Sequence, residues 1–160
     1  MTVDLTPRSP TGSIVQMTEL VLPQHTNALG TCFGGTLLSW IDIAAGISAR
    51  RHANRIAVTV AFDDVHFLTP IRLGDIVSVT AQVSYVGRTS MEIWIEVWRE
   101  SYEGVREHSN TAYVTFVAVD QQLRPVPVPP LLLETEDERR RFHAGEQRRQ
   151  DRLQRARKSP

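Results

Sequence analysis

The period of the apolar positions changes along the chain, and each change marks a predicted element. Residues 13–22 (SIVQMTELVL) are mostly apolar and β-prone between Gly12 and Pro23, which predicts a strand. Residues 23–35 (PQHTNALGTCFGG) are turn-formers. In residues 36–52 (TLLSWIDIAAGISARRH), Leu37, Leu38, Ile41, Ala44, Ala45 and Ser48 recur at helical spacing. Arg50, Arg51 and His52 sit at the negative pole of that helix. Gly46, inside it, implies close packing against a neighbouring sheet.

From residue 55 to 120 the pattern is that of strands: 55–64, a short continuation at 65–70, then 75–87, 90–101 and 106–120. Val77, Val79, Ala81, Val83 and Tyr85 are expected on one face of their strand. Met91, Ile93, Ile95 and Val97 oppose Glu92, Trp94, Glu96 and Trp98. Turns at 87–89 and 102–104 would join the last three strands as antiparallel neighbours. Strand, long helix, then four or five strands is an α+β order. One helix covers one sheet face and leaves the other bare. Trp94 and Trp98 would lie there, either under the C-terminal tail or, as the favoured expectation, in an oligomer interface.

Composition sharpens the boundaries. Residues 1–12, with Pro7, Pro10 and Gly12, suggest a flexible lead-in. Residues 13–133 form the expected folded domain, and 121–130 (QQLRPVPVPP) should be extended. Residues 134–160 make an Arg-rich tail, helical or partly disordered, with Thr135 and Glu138 spaced as a capping box. Phe142 and Leu153 are too sparse for an apolar stripe. The formal net charge of zero hides an asymmetry. Residues 135–160 carry 9 basic and 5 acidic groups, a net of +4, against −4 for the rest. No apolar run approaches the roughly 18–20 residues that span a bilayer. The start of the chain lacks a signal-peptide core, and the lone Cys32 offers no disulfide framework or CxxC motif. A cytoplasmic location is expected, with no global drive toward nucleic acid.

Three constellations could carry chemistry. Asp42 lies among Leu38, Ile41, Ile43 and Ala45, where a carboxylate is costly unless paired or used. It could equally face solvent beside Ser39 and Gly46. Asn27, in the loop 25–30, precedes Gly34 and Gly35 at the helix start, where exposed N–H groups could meet an oxyanion. Asn and Gly are also ordinary turn residues. Gly87, Arg88, Thr89 and Ser90 make a hairpin turn that could additionally hold a phosphate. The histidines lack metal-ligand spacing, and there is no GxSxG, GxGxxG or P-loop pattern. No metal site is expected.

Taken together, HTNALGTCFGGTLLSWIDIAAGISARRH, VTVAFDDVHFLTPIRLGD, VGRTSMEIWIEV, TAYVTFVAVD and PVPPL, in that order, resemble the hotdog-fold acyl-CoA thioesterases. The similarity is to the group that includes broad-range bacterial enzymes and cytosolic enzymes of animals, over about residues 18–131. It implies a curved antiparallel sheet wrapped around one long helix. It also implies pairs of hotdogs that assemble as homo-oligomers, commonly three pairs in a hexamer. The products would be a fatty acid and coenzyme A, with no cofactor beyond the CoA of the substrate. By resemblance, Asp42 would be the base that activates water, with direct nucleophilic attack as the second choice. Asn27 from the other subunit would orient water or thioester, and N–H groups near Gly34 and Gly35 would polarise the carbonyl. Gly87, Arg88, Thr89 and Ser90, with Arg50, Arg51 and Arg55, would contact CoA. Thr26 stands where many relatives have Ala. Two other classes compete: a non-catalytic acyl-CoA-binding hotdog module, and a hotdog dehydratase using His25. A DNA-binding role for the tail is disfavoured by its mixed charges.

Overall fold

A computed structural model describes residues 2–63 and 65–159. Its elements run β1 (Val15–Leu20), α1 (Gly34–Ala53), β2 (Ile56–Asp63), β3 (Ile76–Val86), β4 (Ser90–Glu100), β5 (Arg106–Val119) and α2 (Glu136–Lys158). The five strands form one antiparallel sheet in the order β1-β3-β4-β5-β2. The expected hotdog architecture holds, with the sheet curled about α1.

The core lies between α1 and the inner sheet face. Ile41, Ala44, Ala45 and Ala49 of α1 are fully buried against Val79 and Ala81 of β3, Ile93 and Ile95 of β4, and Ala112 and Val114 of β5. A methyl group placed on Gly46 would come 3.6 Å from the Phe116 ring, which is the close packing expected there. α1 ends at Asn54, whose φ of 51° is a left-handed cap that Asn tolerates.

Several expectations change. Residues 65–70 are not a strand. Asp64, the last residue of the strand expected at 55–64, lies outside the described residues. Tyr85 does not share the inner face with Val83, because a register shift between them turns Tyr85 outward against α2. The lead-in is tied to the domain: Arg8 donates to the His52 carbonyl at 2.6 Å and pairs with Leu131, and a short 3-10 helix spans Pro10–Ser13. Among the described residues no helix is long and apolar enough to cross a membrane.

The largest change concerns the tail. Thr135 and Glu138 form the expected capping box, and α2 then runs across the outer sheet face. It docks without an apolar stripe. Arg148 grips Glu92 at 2.8 and 3.0 Å, and Arg152 pairs with Asp63 at 2.6 Å. Arg141 stacks 4.0 Å over Trp94, and Phe142 meets Tyr85 at 4.9 Å. Trp94 therefore packs under the tail, the first of the two places expected for it. Trp98 contacts His108 and Arg106 instead.

Candidate active site

Asp42 is held at the gap between α1 and β2. The strand pairing sets Thr59 opposite Phe116 on the helix-facing side, and Thr59 Oγ1 donates to Asp42 Oδ1 at 2.7 Å. The pair borders an open groove of about 780 Å³. Ile43 and Ile47 of α1, with Ile56 and Val58 of β2, line its middle, and Arg50 and Arg55 stand at the end away from Asp42. The carboxylate thus faces a space with apolar walls. Neither the core nor open solvent describes its place. Thr59 did not stand out in the sequence, where it is one polar residue in an alternating strand.

Gly34 and Gly35 open α1, and Phe33 at the N-cap supplies no side-chain cap. The hydrogen bonds of the first turn begin with Thr36 and Leu37, both to the Phe33 carbonyl. The N–H groups of Gly34 and Gly35 have no acceptor among the described residues, as helix geometry dictates. Aromatic rings flank them. A methyl group on Gly34 would lie 3.5 Å from the Phe67 ring, and one on Gly35 only 2.7 Å from that of Phe33. Glycine lets the rings approach and leaves the amides bare.

Asn27 organises its own loop. Its Oδ1 accepts from the N–H of Leu29 at 2.9 Å and of Thr31 at 3.2 Å, while Nδ2 donates to Thr31 Oγ1 at 2.8 Å. Gly30, at φ 72°, closes the turn. His25 is structural here: its Nδ1 accepts from the Leu22 N–H, and its ring packs edge-on to Trp40. Burial pushes the Cys32 thiol up, away from a reactive thiolate.

One chain does not unite these groups. Eight residues of helix separate Gly34 from Asp42, about 12 Å at 1.5 Å per residue. No single carbonyl can touch both the bare amides and the carboxylate of one chain. The surface beside Asp42 is apolar and open: Ile43 and Ile47 of α1, and Ile56, Val58, Val60 and Phe62 of the edge strand β2, are all exposed.

The Gly87–Ser90 turn joins β3 to β4. Gly87 N–H donates to the Ser90 carbonyl, while the carbonyls of Arg88 and Thr89 accept from Val128 and Ala118. The Arg88 side chain is exposed. Arg50 reaches the groove, whereas Arg51 donates to the Ile14 carbonyl at 2.5 Å. Among the described residues no three His, Cys, Asp or Glu side chains gather in a way that could hold a metal ion.

Comparison with known proteins places this geometry. The model of the thioesterase superfamily matches residues 29–105. An uncharacterized acyl-CoA thioester hydrolase of Bacillus subtilis, YkhA, is 43% identical over 148 residues, covering 92% of this chain and 86% of that protein. The crystal structure of an apo hexameric acyl-CoA thioesterase superposes with a TM-score of 0.89 at 37% identity, over 94% of this chain and 97% of that one. An acyl-CoA hydrolase from Staphylococcus aureus, solved with butyryl coenzyme A, coenzyme A and its disulfide, gives 0.85 at 36% identity, over 93% and 92%.

Proposed function

The chain belongs to the thioesterase superfamily, and from that premise we propose that it hydrolyses fatty acyl-CoA to a free fatty acid and coenzyme A. Asp42, bonded to Thr59 beside an apolar groove, is the observation that carries the reading. In this mechanism the Asp42 carboxylate takes a proton from water as the water oxygen attacks the thioester carbonyl. The N–H groups of Gly34 and Gly35 receive the developing oxyanion. Collapse of the tetrahedral intermediate breaks the carbon–sulfur bond, and the CoA thiolate leaves to be protonated. A thioester is already activated, so no serine nucleophile is required. General-base help contributes about 10²–10⁴-fold. An oxyanion donor contributes about 10²–10³-fold.

The working unit in this reading is a pair of chains. Two copies set side by side through α1 and β2 would cover the exposed isoleucines and the free edge of β2. They would bring Asn27, Gly34 and Gly35 of one copy to Asp42 of the other. The 12 Å gap within one chain supports that arrangement, and a trimer of such pairs accords with the hexameric neighbour. Gly87, Arg88, Thr89 and Ser90 face the phosphates of CoA, with Arg50 as a further contact. A single free thiol suits a reducing compartment, and we place the reaction in the cytoplasm.

The test is release of CoA thiol from acyl-CoAs of graded chain length. Wild type should release thiol, while Asp42→Asn and Asn27→Ala variants that still assemble should lose most of the activity. Full activity in an assembled Asp42→Asn protein would sink the mechanism. Binding of acyl-CoA without any release would identify a non-catalytic binding module.

A further inference from the structure

The arginines of α2 are engaged unevenly. Arg148 holds Glu92, Arg152 holds Asp63, and Arg141 lies on Trp94. Arg149 has no ion pair or hydrogen bond among the described residues. Its guanidinium hangs over the β3–β4 turn: a methyl group on Gly87 would come 3.5 Å from Arg149 Nε and 3.9 Å from Cζ. That same methyl would meet Ser90 Oγ at 2.9 Å, so glycine keeps the space between turn and helix open.

The turn presents donors into this neighbourhood. The carbonyls of Arg88 and Thr89 are used by Val128 and Ala118, whereas the N–H groups of Arg88 and Thr89 have no acceptor among the described residues. Thr89 and Ser90 add hydroxyls, and the Arg88 guanidinium is exposed and makes no ion pair among the described residues. Two guanidinium groups, two peptide N–H groups and two hydroxyls form a donor set suited to phosphate oxygens. The site is also near the chemistry. Ser90 is in register with Val117, and Val117 with Val58, next to Thr59. Two strand spacings, about 10 Å, separate the turn from that part of β2.

We infer that Arg149 of α2 completes a phosphate site with the Gly87–Ser90 turn, and that this site grips the phosphates of the CoA half of the substrate. The inference rests on the acyl-CoA thioesterase reading and assigns the tail a part in it. Residues 135–160 carry the chain's excess of positive charge, and α2 delivers one of those charges to the β3–β4 turn.

The experiment compares one acyl group on CoA, on dephospho-CoA and on pantetheine, with wild type, Arg149→Ala and Arg149→Lys. Arg149→Ala should raise KM for the acyl-CoA roughly tenfold, the loss of one charge-assisted contact, with little change in kcat. KM for the pantetheine thioester should not move, and Arg149→Lys should recover part of the loss. A penalty that persists on dephospho-CoA assigns Arg149 to the pyrophosphate. One that vanishes there assigns it to the ribose phosphate. An unchanged KM for acyl-CoA in Arg149→Ala, or an equal rise on pantetheine, overturns the inference. Wild type that cleaves none of the three thioesters would overturn the thioesterase reading instead.

Discussion

Thr59 donates its hydroxyl to the Asp42 carboxylate across the gap between β2 and α1, at 2.7 Å. This bond leaves one carboxylate oxygen for water and restrains the side chain in rotation. Thr59→Val keeps the shape and removes the donor. We expect kcat to fall roughly tenfold, the worth of one hydrogen bond to a charged group. Thr59→Ser should restore most of it, and the loss should be smaller than in Asp42→Asn. Steady-state kinetics on the three variants checks this. Full activity in the Val variant with loss in the Ser variant would show that the methyl group, and not the hydroxyl, matters.

Glu92 is buried on the outer sheet face, and both of its oxygens are held by Arg148, with Ser84 adding a bond at 2.9 Å. Removing Arg148 would strand a buried carboxylate. Arg148→Met should cost about 3 kcal/mol, the lower end for such a break because the arginine is partly exposed. The double variant Arg148→Met, Glu92→Met should recover much of that loss. Denaturant unfolding of the two proteins gives the comparison.

Gly145 lets α2 lie directly on β3. A methyl group there would meet Tyr85 Cβ at 2.6 Å and Glu92 Oε1 at 2.9 Å. Tyr85 Cβ is anchored to the backbone, so the helix must lift. Gly145→Ala should lower the melting temperature despite the better helix propensity of Ala. It should also raise KM for acyl-CoA, because Arg149 is carried on the same helix. A melting temperature equal to or above that of wild type would mean that α2 docks more loosely than its contacts indicate.

His52 is buried, with Nε2 against the Pro129 carbonyl at 2.7 Å and Nδ1 without a partner. The carbonyl requires the proton on Nε2, so the neutral ring fits. Burial is the main cause that holds its pKa below the ordinary 6.5, with Arg8 adding to the effect against the Pro129 bond. Above about 6.5 both folded and unfolded chains carry it neutral, and its contribution is fully present. As pH falls below that value, the unfolded chain takes up a proton that the folded one refuses. Stability should then drop by at most about 1.4 kcal/mol per pH unit until the folded pKa is passed. The difference in melting temperature between wild type and His52→Gln should narrow from pH 7.5 to 5.5. A constant difference would show that His52 does not titrate in this window.

The helix, its buried stripe and the inner face of β4 were legible in the sequence because each depends on local period alone. Leu37, Ile41, Ala44 and Ala45 recur at helical spacing, and Met91 to Val97 alternate, so chain geometry by itself sends them to one side. Gly46 and the Thr135 capping box were legible for the same reason, since each constrains only its near neighbours. Tyr85 was misplaced because one irregular residue in the ladder reverses the face of all that follow, and alternation carries no mark of it.

What only the tertiary structure decided is where distant charges meet. The tail has too few apolar residues to predict docking, yet Arg148, Arg152 and Arg141 find Glu92, Asp63 and Trp94. Such pairs join residues about 45 to 90 positions apart and leave no periodic trace in either partner. The partnership of Thr59 with Asp42 is of the same kind. The sequence by itself determined a strand, a helix and a meander, and the blocks whose order resembles the acyl-CoA thioesterases. The fold decided which charges are spent on structure and which stay free for a ligand, because that depends on distances no local pattern records.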